Sequence, residues 1–163
     1  MPELRIDPLS GLKVIVAGER GVRPGAWLDV EPRAPIDREA DPFSAGHEDR
    51  TPPEVYALRE DGGGWKVRVV PNLYPALGSG EPDAAEDPLA SGRGEPNLFS
   101  ARPALGAHEV IVNAPDPVTS LAELRPDQVE TAMSVWRERM RAHSGAAYVH
   151  IIVNEGKEAG ASL

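Results

Sequence analysis

The sequence predicts an α+β fold with a mainly antiparallel sheet and one long helix. Three observations carry this expectation. Short β-branched runs recur along the chain, at 12–16, 65–70, 107–114 and 148–153. The clearest helical spacing lies at 125–143. Strands and helix do not alternate as regular βαβ units, which argues against a parallel sheet.

Composition narrows the field. A chain of 163 residues has room for one domain with a real core. A net charge of −9 argues against an electrostatic nucleic-acid binder, though a few local arginines suffice for a small phosphate site. The absence of cysteine excludes disulfides, thiolate chemistry and any cysteine-based zinc site. No run of about 18 apolar residues predicts a membrane span, and residues 1–5 lack an apolar signal-peptide core. A soluble, cytoplasmic protein is the expectation. With 16 Gly and 17 Pro, much of the chain must be loop.

The elements follow in order. Residues 1–11 read as a leader with a turn at 7–11, before a strand at 12–16. Arg20 and Arg23 then lie three apart in a Gly/Pro loop. Such a pair can grip a phosphate, although two solvated charges are the commoner case. Residues 55–59 and 65–70 flank a glycine-rich turn, with Trp65, Val67 and Val69 alternating against Lys66 and Arg68, as in a hairpin with one apolar face. Asn72 follows, either as a strand-ending turn residue or as a ligand contact. Residues 78–103, poor in hydrophobics, read as a mobile loop.

A strand at 107–114 and a turn with a short helical piece at 116–124 come next. The helix at 125–143 opens on Pro126 and Asp127 and carries Val129, Met133, Trp136 and Met140 as one apolar stripe. Its arginines gather near the C-terminus, where the dipole favours them. Gly145 can cap it. The last segment, 148–163, predicts a strand ending in Asn154 and then a Gly/Ala/Ser loop. Small residues let a backbone wrap a phosphate closely. Composition alone favours an ordinary strand with a flexible tail.

Several blocks in the right order resemble the galactose-1-phosphate uridylyltransferase family. They are Thr-Pro-Pro-Glu at 51–54, the Pro-Asn-Leu-Tyr-Pro-Ala block at 71–76, the strand at 106–112, and Asn-Glu-Gly-Lys-Glu-Ala-Gly-Ala-Ser-Leu at 154–163. The resemblance implies a histidine-triad-like domain, with 1–163 as its amino-terminal, incomplete portion. It implies that a His-x-His-x-Gln motif with the nucleophile follows Leu163. The expected reaction converts UDP-glucose and galactose 1-phosphate to glucose 1-phosphate and UDP-galactose through a uridylyl-histidine. This chain alone would be inactive.

By the same resemblance, Asn72, Asn154, Gly160 and Ser162 bind the nucleotide or its phosphates. Arg20 and Arg23 add charge across the interface of a homodimer. The partners implied are a UDP-sugar and a sugar 1-phosphate, with no nucleic acid and no membrane. Many members bind zinc, and their ligand positions correspond here to Asp41, Ser44 and Pro117. Serine and proline do not replace Cys and His as ligands, so no metal and no cofactor is expected. Asp41 and His47 are too few for a site of their own, and His47 reads as a turn residue. His108, at a strand start, reads as structural. Two alternatives remain: a nucleotide-sugar or dinucleoside-polyphosphate phosphorylase of the same fold, or a non-catalytic nucleotide-binding or structural remnant.

Overall fold

The computed structural model describes residues 2–22, 36–78, 100–155 and 159. These fall into two compact units. One comprises Met1–Arg23 and Tyr74–His108, the other Pro24–Leu73 and Glu109–Leu163.

Among the described residues the first unit is a three-stranded antiparallel sheet, with β1 (Glu3–Ile6) between β2 (Lys13–Val16) and β5 (Ser100–Pro103). β1 spans Glu3–Ile6 and β2 spans Lys13–Val16, paired with Leu4 opposite Ile15. Residues 3–6 are therefore a strand and not a leader, because a four-residue run is too short for its alternation to stand out. The turn between them closes on Asp7, whose Oδ1 accepts from the Leu9 amide at 3.0 Å. Gly11 takes φ +70°, a left-handed conformation that suits glycine. β5 is Ser100–Pro103 and pairs with the other side of β1. The last four residues of the expected 78–103 loop are thus a strand. Gly78 also bridges Leu105, and 79–99 lie outside the described residues.

The second unit holds the core. β3 (Tyr56–Arg59) and β4 (Trp65–Pro71) form the predicted hairpin, and β6 (Glu109–Val112) pairs with the other side of β4. All pairings are antiparallel. Trp65, Val67 and Val69 are buried, as their alternation predicts. The opposite face of β4 is not the polar face the sequence suggests, because Arg68 and Val70 are buried too. Arg68 Nε donates to Glu54 Oε2 at 3.1 Å, and its Nη2 donates to the Glu48 carbonyl at 3.2 Å. Segment 48–54 thereby covers that face.

The helix α1 runs from Pro126 to Ala142. Its start is closed by Gln128 Oε1, which accepts from the Arg125 amide at 3.0 Å. Ala132 and Val135 pack with Val67 and Val69, flanked by Tyr56, Leu58 and Ile111. The buried stripe is therefore rotated from the expected one: Met133 and Met140 are exposed. A small alanine lets the helix approach the sheet closely, while Trp136 turns aside to donate its Nε1–H to Asn113 Oδ1 at 2.8 Å.

The expected strand at 148–153 does not form. Tyr148, Ile152 and Val153 are exposed, and β-propensity without a paired neighbour does not make a strand. The Tyr148 and His150 rings meet edge-on at 5.7 Å, which fits extended backbone with i and i+2 on one side. Among the described residues no helix is long and apolar enough to cross a membrane.

Candidate functional site

Arg20 sits in a short 3-10 turn, Gly18–Val22, just after β2. Its Nη1 donates to the Tyr74 carbonyl at 2.6 Å and lies 3.4 Å from His108 Nδ1. The same Nδ1 accepts from the Ala76 amide at 2.9 Å. An atom that accepts from an amide carries no proton, so His108 holds its hydrogen on Nε2. Arg20 and His108 together fix the Tyr74–Ala76 segment. The sequence does not signal this link, because 54 and 88 positions separate Arg20 from its two partners.

Asn72 follows β4 immediately, so the central strand of the second sheet sets its position. It is half-buried. Asn154 is exposed, in the irregular segment where Glu155 Oε2 accepts from the Leu121 amide at 3.1 Å. Arg23, Gly160 and Ser162 lie outside the described residues.

Of the positions expected from the resemblance to correspond to metal ligands, Asp41 and Ser44 lie in a hydrogen-bonded turn. Asp41 Oδ1 accepts from the Phe43 amide at 3.0 Å and Oδ2 accepts from Ser44 Oγ at 2.8 Å. His47 Nδ1 donates to the Asp41 carbonyl at 2.7 Å. The Ala45 amide donates to the Pro115 carbonyl at 2.9 Å, and Arg38 pairs with Asp116 next to Pro117. Among the described residues no three His, Asp or Glu side chains converge as metal donors.

A concavity of about 540 Å³ opens between this turn and the β3–β4 hairpin, bounded by Gly46, Glu48, Glu60, Trp65 and Pro115. Of the residues expected to bind nucleotide, the described ones (Arg20, Asn72 and Asn154) do not line it. Its wall carries the Glu48 and Glu60 carboxylates, and Arg59, which also lines it, is paired with Glu54. Trp65 Nε1 donates to Glu48 at 2.6 Å; this bond, helped by backbone amides, holds the Glu48 carboxyl below its ordinary range against the opposing effect of burial. An ionised carboxylate in the wall repels phosphate, so this hollow does not suit a nucleotide.

Among the described residues, two antiparallel sheets and one long helix define an α+β protein, and of the residues expected to touch a nucleotide, Arg20 lies in a short 3-10 turn after β2, Asn72 follows β4 and Asn154 lies in an irregular segment. Comparison with known proteins makes the class specific. The model of the galactose-1-phosphate uridyl transferase N-terminal domain matches residues 1–163, and the chain belongs to that family.

It is 28% identical over 168 residues to an ADP-glucose phosphorylase of Arabidopsis thaliana, covering 99% of this chain and 46% of that protein. It is 30% identical over 166 residues to a galactose-1-phosphate uridylyltransferase of Thermotoga maritima, covering 100% of this chain and 44% of that one. The chain thus spans a little under half the length of these curated relatives. Among solved structures, a uridylyltransferase matches with a TM-score of 0.61 at 28% identity, over 99% of this chain and 43% of that one. The A. thaliana ADP-glucose phosphorylase with bound ADP-glucose matches with a TM-score of 0.54 at 25% identity, over 99% of this chain and 45% of that one.

Proposed function

We propose that residues 1–163 act as one amino-terminal domain of a nucleotidyltransferase of the galactose-1-phosphate uridylyltransferase type, in the cytoplasm. The observation that carries this reading is the family match across all 163 residues. In the proposed reaction a neutral histidine attacks the α-phosphorus of UDP-glucose. The phosphorus–oxygen bond to glucose 1-phosphate breaks, and that leaving group takes the electron pair. The phosphate oxygen of galactose 1-phosphate then attacks the uridylyl-histidine and expels the imidazole, giving UDP-galactose. Imidazole suits the task because it is nucleophilic near neutral pH and its phosphoramidate stays reactive.

This chain contributes binding groups. Asn72 holds the nucleotide, and Asn154, the Gly160 backbone and Ser162 donate to non-bridging oxygens. Arg20 and Arg23 add positive charge from the partner subunit of a homodimer. The 163 residues contain no His-x-His pair, so the reacting histidine comes from outside them. The test is label exchange between radiolabelled UDP-glucose and galactose 1-phosphate. The pure chain is expected to give none; exchange above background overturns the assignment of the nucleophile.

A second reading has its own support, the likeness to an ADP-glucose phosphorylase over 99% of this chain. The fold and the histidine nucleophile are then the same, but orthophosphate replaces the sugar 1-phosphate as acceptor. In a chain that also carries a His-x-His-x-Gln segment, the acceptor that discharges the nucleotidyl-enzyme separates the two.

A further inference from the structure

We infer that the Asp41 carboxylate closes the turn at 37–50, in place of the metal ion that the family resemblance implies for these positions. Structural zinc takes four donors, drawn from thiolates, imidazoles and carboxylates. The donors present here do not fit it. Both Asp41 carboxylate oxygens already accept hydrogen bonds, from the Phe43 amide at 3.0 Å and from Ser44 Oγ at 2.8 Å. Ser44 is only 2% exposed and directs its hydroxyl proton inward to Asp41. His47 uses Nδ1 to donate to the Asp41 carbonyl at 2.7 Å, and its Nε2 stands 4.0 Å from Glu39 Oε2. Pro117 has no side-chain donor atom.

This clasp performs the cross-linking role of a bound ion. It shapes the turn so that the Ala45 amide reaches the Pro115 carbonyl at 2.9 Å, joining segments some 70 positions apart. On its other side, Glu48 accepts from Trp65 Nε1 at 2.6 Å, and buried Arg68 reaches the Glu48 carbonyl at 3.2 Å. Both of those residues belong to β4. The turn is therefore tied to the core strand that leads into Asn72. A hydrogen-bonded clasp needs no loading and does not respond to chelators.

The experiment uses the 163-residue chain, melted as purified, after EDTA treatment and with added zinc sulfate. The melting temperature is expected to be the same in all three, with no stoichiometric zinc in elemental analysis. Asp41→Asn presents an amide N–H₂ to one of two donors, and Ser44→Ala removes one donor. Each is expected to lower the melting temperature by about 2–6 °C. Each is also expected to speed amide exchange at Phe43 and Ala45 about tenfold. If Asp41→Asn does not fold, Ser44→Ala with the exchange measurement decides. One zinc retained per chain, a melting temperature that EDTA lowers, or unchanged exchange at both amides overturns the inference.

Discussion

Glu109 and Arg139 meet as a fork. Arg139 Nη2 donates to Glu109 Oε1 at 2.8 Å and Nε donates to Oε2 at 3.0 Å, joining the first residue of β6 to the end of α1. His143 Nε2 shares Oε1 at 3.0 Å, and the Arg139 guanidinium lies over the Tyr56 ring, 5.9 Å from its centroid. The side chains are only 14% and 16% exposed. Dipole complementarity alone explains arginines near a helix end, but this one is an interior strut between helix and sheet.

Arg139→Met leaves Glu109 charged, part-buried and without its main partner. The expected loss is about 2–3 kcal/mol, below the figure for a fully buried pair because some water reaches the site. Arg139→Lys is expected to recover less than half of it, since an ammonium cannot make the two parallel bonds. Urea unfolding of the three proteins measures both effects. Equal stability of the Lys variant and the parent would mean that charge alone matters.

The same cluster sets an acid limit. Burial pushes the Glu109 carboxyl up, but hydrogen bonds and charge from Arg139 and His143 outweigh it and hold the group below its ordinary 4.5. A carboxyl with a lowered folded value stabilises the fold above its unfolded value. That contribution is lost as pH falls through the folded value. Glu48 behaves likewise, chiefly through Trp65. Stability is therefore expected to decline below about pH 4.5, less steeply in Glu109→Gln. Thermal melts from pH 7 to pH 3 test this; parallel slopes for parent and variant would remove Glu109 from the account.

How far the sequence is legible depends on how local the cause is. The alternation of Trp65, Val67 and Val69 against the glycine-rich turn names the hairpin, because period and turn lie within about fifteen residues. Arg68 reads as polar surface, and its burial depends on Glu48 and Glu54 arriving from elsewhere. Residues 148–153 have the composition of a strand, but pairing is a property of neighbours. In the candidate site, Asn72 is locatable because it directly follows a strand. The Arg20–His108 contact is not, since neither residue carries a local signal for the other.

The helix register gives a sharper test. Sequence spacing puts Met133 in the apolar stripe, whereas the structure buries Val135 against Val67 and Val69 and leaves Met133 37% exposed. Val135→Ala is expected to cost about 2 kcal/mol, from two lost methyl groups and a residual cavity. Met133→Ala is expected to cost less than about 1 kcal/mol. Denaturant midpoints at constant m-value provide the comparison. The reverse order would place the helix a residue away from the orientation described.

Asn72 offers the most direct test of the binding role. It stands where β4 ends. A side-chain amide at a strand end offers a nucleotide both a donor and an acceptor. Removing one such hydrogen bond typically loses about 1–1.5 kcal/mol, or roughly tenfold in affinity. Asn72→Ala is therefore expected to weaken UDP-glucose binding about tenfold, measured by calorimetric titration. Arg20→Met tests the Tyr74–Ala76 segment by itself: it should loosen that segment, which faster amide exchange at Ala76 would report. ADP-glucose, titrated in parallel, ranks the two nucleotides. If Asn72→Ala binds both as tightly as the parent, Asn72 is a turn residue, and its place in the nucleotide site is lost.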